Sequence, residues 1–230
     1  MTAPINLADA AFWDDAQPHQ QVAWAYLQEQ TADHVLQEFA RLYRDAPKAI
    51  DEPSSGIVTP ELMERLTGYP SHSFNVSFCN DANRLFKETG FERHLDACQM
   101  LMANMMHETA NFIYMKEIAD GWAYEGRADL GNTEPGDGPR FKGAGVLQLT
   151  GRYNYSRLSK VIGDPQVMDG VDYVCNKYPF TSARVWIDEN DLLNVCLRDG
   201  FDACCKRING GWNGYEDRKA KYAICQREMR

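Results

Sequence analysis

Ala97-Cys-Gln-Met-Leu-Met-Ala-Asn-Met-Met-His-Glu108 is the stretch that decides how this chain folds. Drawn as a helix, it is apolar nearly all round. A helix of that kind sits in the middle of a domain, because no face of it is suited to water. The pattern predicts a buried helix over Glu92–Met106 that delivers His107 and Glu108 at its C-terminal end. Other helices must then wrap it. Thr59-Pro60-Glu61 reads as a helix start, with Thr as N-cap, Pro at the first position and an acid in the first turn.

Further helices are expected over Asp81–Lys87, Tyr153–Val161, Thr181–Glu189, Asp191–Arg198, Phe201–Ile208 and from Asp217 onward. Between Gly121 and Gly145 the chain is dense in glycine and proline and keeps no helical period. That reads as a long central loop, with short strands at most, near Tyr124 and Val146-Leu147-Gln148. A loop so long inside a domain is usually functional. The first residues carry two amphipathic stretches, one of them His19–Glu29 and the other bearing Val35, Leu36, Phe39, Leu42 and Tyr43. Together they suggest a small helical hairpin over residues 1–50, either an accessory unit or a wall-binding one. Asp51-Glu-Pro-Ser-Ser-Gly56 has the composition of a linker, and the main domain is expected over residues 57–230. The fold class expected is mainly α, with a small β element at most.

The composition narrows the partners. A net charge of −9 argues against nucleic acid, which wants clustered Lys and Arg. No apolar run approaches the ~20 residues of a membrane span, so no membrane insertion is expected. Met1–Ala10 lacks a basic start and an apolar block, so the expectation is a protein made in the cytoplasm without a leader. The seven cysteines show no zinc-ligand spacing and read as reduced, buried thiols. No metal or other cofactor is expected, and a monomer is the default.

His107-Glu108 is half of the HExxH zinc motif, but Asn111 stands where the second His is required. Two carboxylates offer a better reading. Glycoside hydrolysis needs one protonated and one ionised carboxyl flanking the scissile bond. Burial beside an apolar helix keeps a carboxyl protonated, which suits Glu108 to the acid's role. The base is then Glu117 or Glu125. In a continuous helix, nine steps of ~100° would put Glu117 on the opposite face from Glu108, about 13 Å along the axis. The pairing therefore demands that the helix end near Thr109 to Phe112 and the chain fold back. On local pattern alone, Glu108 is equally a helix-end carboxylate paired with an Arg, and Glu117 a solvated charge beside Lys116.

Three segments together resemble one family. Phe141-Lys-Gly-Ala-Gly-Val-Leu-Gln-Leu-Thr-Gly-Arg-Tyr-Asn-Tyr155 is similar to the signature of glycoside hydrolase family 19, with Ala144 where Arg is common. His107-Glu108-Thr109 and Ile208-Asn-Gly-Gly211, followed by Glu216-Asp-Arg218, resemble two further motifs of that family, in the same order. The resemblance covers about Val58 to Arg230. It implies a lysozyme-like α+β fold and hydrolysis with inversion. It implies that Glu108 protonates the leaving oxygen, Glu117 activates water and Thr150 holds that water. His107, Gln148, Tyr153, Asn154, Asn209 and Arg218 would contact sugar or organise the carboxylates.

The family's substrates, chitin and peptidoglycan, are both β-1,4-linked amino-sugar chains. The absence of a leader and the stretch Tyr124–Asn132 resemble the phage-lysin branch. Peptidoglycan cleavage by an endolysin, acting at the bacterial wall, is therefore the first expectation, and chitin the second. A non-catalytic virion or wall-binding protein with the same fold is the alternative of another class. Loss of an acid would be its sign, and both Glu108 and Glu117 are present.

Overall fold

The computed structural model describes residues 56–230. The N-terminal hairpin, the 1–50 unit and most of the linker lie outside the described residues. Nine α-helices follow among the described ones: α1 Pro60–Thr67, α2 Val76–Glu88, α3 Leu95–Glu108, α4 Asp137–Arg140, α5 Arg152–Ile162, α6 Val171–Lys177, α7 Arg184–Glu189, α8 Leu192–Asn209 and α9 Tyr215–Glu228. The mainly α fold is as expected. Thr59 caps α1 as its sequence predicts, accepting from Leu62 N. Helix α2 begins five residues earlier than expected, because Asn75 caps it by accepting from Phe78 N. Glu92 falls in a 3-10 turn, Phe91–Arg93, rather than in α3. The two short helices expected around Gly200 are one element with a kink, where Gly200 adopts φ 80 and ψ −167. Helix α6 was not anticipated.

Helix α3 is central, as its composition demands. Leu101, Met102, Ala103, Met105 and Met106 are buried, and α9 lies along it. This is the larger of two cores. The second gathers Phe141, Tyr155, Leu158, Val167, Val174 and Tyr178. Tyr155 is wholly core: its hydroxyl donates to Lys142 O and its ring meets Phe141 edge-on. No strand forms at Tyr124, which lies in a 3-10 turn over Trp122–Tyr124. None forms over 146–148 either. The β structure among the described residues consists of isolated bridges, in which Ala144 pairs with Lys116 on one side and Leu149 on the other.

Residues 109–151 hold their shape by internal polar staples. Buried Asp137 receives a two-pronged hydrogen bond from Arg152, and Asn132 ties Tyr124 O to Arg152 N. Gly145 lets this segment cross between the cores. Its φ is +73, and a Cβ there would overlap Ser182 Oγ and approach Pro179 O to 2.5 Å.

Asp81 supplies the polar joint between α2 and the turn before α7. It is buried and accepts from Phe180 N, Thr181 N and Thr181 Oγ1. Burial pushes its carboxyl up to about 6, against the opposing pull of those donors. The group binds a proton more tightly folded than unfolded, so folding gains stability as pH falls. The gain is complete below the ordinary Asp range and is lost as pH rises through about 6. Asp81→Ala should flatten that slope in urea unfolding between pH 4 and 7. It should also cost roughly 3 kcal/mol, because buried donors lose their acceptor.

Candidate active site

Glu108 is the last residue of α3, and the helix ends there abruptly. Ala110, Asn111 and Phe112 all adopt left-handed backbone, with φ of 49, 60 and 69. Three such residues in succession cannot continue a right-handed helix. Thr109 holds the reversal: its hydroxyl donates to Met105 O and accepts from Phe112 N, and its carbonyl accepts from Tyr114 N. The chain break that the Glu108–Glu117 pairing demands is thus present.

The surroundings of Glu108 differ from the expected apolar burial. Its side chain keeps 28% of its exposure and pairs with Arg218, which is 2% exposed. The Arg-paired alternative read from the sequence is therefore realised, and it coexists with an accessible carboxyl at the end of a buried helix. Arg218 comes from α9. Its Nη1 donates to Asn104 Oδ1 at 2.7 Å and its Nε to Asn213 O at 3.4 Å. His107 clamps the same helix ends together. Its Nδ1 donates to Asp217 Oδ2 at 2.6 Å, and its ring packs against Gly214. His107 thereby links α3 to α9, and its side chain keeps 25% of its exposure.

Glu117 lies in the folded-back segment. Its N–H donates to Gly143 O, its Oε2 accepts from Gly143 N at 2.7 Å, and its Oε1 accepts from Tyr124 OH at 3.0 Å. The solvated-charge alternative does not hold, since the carboxylate is half-buried and held by two donors. Tyr124 stays protonated, because partial burial and the hydrogen bond to Glu117 both push its hydroxyl up. Gln148 shares this corner. A Cβ on Gly143 would collide with Gln148 Oε1 and come within 3.0 Å of Glu117 Oε2. Gly143→Ala should therefore displace both side chains. An approximately tenfold or greater fall in kcat is expected with a nearly unchanged melting temperature, read by initial rates and thermal unfolding.

Glu125 is placed differently. Its Oε1 accepts from Gly136 N at 2.7 Å and its Oε2 from Gly138 N at 2.8 Å. Both oxygens accept from backbone N–H groups of the glycine-rich turn, which they help to close.

The remaining predicted positions lie in the loop before α5, at the start of α5 and at the end of α8. Thr150 Oγ1 donates to Gln148 O, and Asn154 Nδ2 donates to Thr150 O. Gln148 itself has φ 52, and its amide donates to Gly145 O. Tyr153 is 59% exposed with Arg157 over its ring, so of the Tyr153/Tyr155 pair it is the one that faces solvent. Asn209 ends α8, and its amide donates to Asn213 O. Trp122 and Trp212, for which buried packing is the common fate, are 60% and 51% exposed. Trp212 borders a cavity of about 670 Å³ that Asp202, Tyr215 and Asp217 also line. Sequence reasoning missed Tyr124, Gly143 and Asn104 as parts of the site. Asn104 left one signal, its place one turn before Glu108 on the same helix face.

No group of His, Cys, Asp and Glu among the described residues could hold a metal ion. The described cysteines are free, and six of the seven are buried. No helix among the described residues is long and apolar enough to cross a membrane.

No family model matches the chain. An endochitinase of Arabidopsis thaliana is 30% identical over 126 residues, which is 55% of this chain and 42% of that protein. Endochitinase A of Zea mays is 29% identical over 110 residues, covering 47% of this chain and 38% of that protein. A glycosyl hydrolase family 19 domain-containing protein of Haemophilus influenzae is 28% identical over 106 residues, covering 46% and 51%. The match thus spans about half or less of these curated relatives. Chitinase C from Streptomyces griseus superposes with a TM-score of 0.56 at 16% identity, covering 76% of this chain and 94% of that one. That likeness shows the fold.

Proposed function

We propose, for a chain that belongs to the family 19 group of chitinase- and lysozyme-like glycoside hydrolases, that it cleaves β-1,4 bonds of a chitin-type amino-sugar chain by acid–base hydrolysis. The observation that carries this reading is the helix break after Glu108, which frees Glu117 to face the same substrate. Glu108 donates its proton to the leaving glycosidic oxygen. Arg218 occupies one of its oxygens and leaves the other for that proton. Glu117, held in place by donors from Gly143 and Tyr124, takes a proton from water as the water attacks the anomeric carbon. Thr150 and Gln148 orient that water, and the exposed rings of Tyr153 and Trp122 offer faces on which sugars stack. The product inverts, and the two carboxyls work across a gap of roughly 6.5–9.5 Å in such enzymes.

Chitin takes precedence over peptidoglycan, which the sequence alone had placed first. The relatives with descriptions that name a substrate are endochitinases. Peptidoglycan remains the second reading, on the resemblance of Tyr124–Asn132 to phage lysins. Digestion of chitin oligosaccharides and of purified peptidoglycan, followed by counting new reducing ends, separates the two. Faster release from chitin oligomers is expected. Release from peptidoglycan alone would reverse the order, and new amino termini without reducing ends would sink the glycosidase reading.

A further inference from the structure

Asn104 is fully buried in the middle of α3, one turn before Glu108. A buried amide there is costly unless every part of it is used. Its Nδ2 donates to Met100 O at 2.9 Å and to Cys204 Sγ at 3.7 Å. Its Oδ1 accepts from Arg218 Nη1. The amide cannot be turned the other way, because a guanidinium only donates and must meet an oxygen. Met100 and Cys204 thus hold one end of the amide, and Arg218 is held by the other.

Arg218 has two side-chain acceptors, Asn104 and Glu108, one turn apart on the same helix. Its other acceptor, Asn213 O, is met only at a long 3.4 Å, so the two side chains are what hold the plane of the guanidinium. We infer that Asn104 is a positioning residue, which sets the plane of Arg218 against Glu108 and so decides which carboxyl oxygen carries the catalytic proton. With Arg218 directed onto Oε1, the proton resides on Oε2. An amide suits position 104 better than a carboxylate, which would compete with Glu108 for the only charge on Arg218.

This inference rests on the hydrolase reading above, and its test distinguishes the two. Asn104→Leu removes the acceptor at similar volume, and Asn104→Asp keeps an acceptor but adds a charge. Each full-length variant is compared with wild type in kcat and KM on chitin oligomers, in pH–rate profile, and in the NMR signals of the Arg218 guanidinium. Asn104→Leu should lower kcat about tenfold or more with KM within about twofold, and should broaden the Arg218 signals. Asn104→Asp should move the high-pH limb of the profile upward, because a second carboxylate adds negative charge beside the acid and draws on Arg218. A merely structural role would reduce the folded fraction without moving that limb. An active wild type whose Asn104→Leu variant keeps both kcat and sharp guanidinium signals overturns the positioning role alone. A wild type that releases no reducing ends, with the guanidinium signals still responding to Asn104→Leu, overturns the hydrolase reading instead.

Discussion

Glu108→Gln should lower kcat by roughly 10² to 10⁴, the usual contribution of a positioned general acid. The amide matches the carboxyl in size but has no proton to give to a leaving oxygen. Its carbonyl still accepts from Arg218, so the joint between α3 and α9 survives. What is lost is the proton, while a neutral acceptor of the same shape still meets the guanidinium. A folded enzyme without turnover is therefore expected, with a urea midpoint close to that of wild type. Initial rates on chitin oligomers, normalised to folded protein, check the first part. Activity within tenfold of wild type would remove Glu108 from the acid's role.

The second expectation concerns the base. Glu117→Gln should reduce kcat by a similar factor, since an amide cannot take a proton from water. Glu125→Gln should reduce it by less than about tenfold and show its effect in thermal unfolding instead. Each glutamate accepts from two donors, but the Tyr124 hydroxyl can also accept, so an amide at 117 is satisfied where one at 125 offends a backbone N–H. Glu117 faces a backbone N–H and the Tyr124 hydroxyl, beside Gln148. Glu125 faces two backbone N–H groups of its own turn. A larger loss of kcat in Glu125→Gln than in Glu117→Gln, at equal stability, would exchange the two assignments.

Sequence and structure divide the evidence for these roles unevenly. Helix α3 was legible because its periodicity failed: side chains apolar all round leave a helix no place but the centre. The cap at Thr59 was legible because capping is a contact between near neighbours. Helix α6 and the extra first turn of α2 were not seen. Val171–Lys177 is short, and its two fully packed residues, Val171 and Val174, are too few to set a period. The strand expected near Tyr124 is a 3-10 turn, and the one near Val146 gives way to bridges at Ala144, because Gly145 and Gln148 turn the chain before a ladder can extend.

The site shows the same division. The sequence by itself determined which carboxylates were available, that the zinc motif was incomplete, and that a helix running past Glu108 would forbid the pairing. It also carried the resemblance on which the roles of Thr150, Gln148 and Arg218 first rested. Only the tertiary structure shows which donors Glu117 and Glu125 accept from, because most of those donors lie 11 to 26 residues away. It likewise decided what surrounds Glu108. The apolar burial foreseen from α3 is replaced by a cation from α9, 110 positions along the chain. Contacts at that separation depend on how helices pack, and local spacing in a sequence does not encode them.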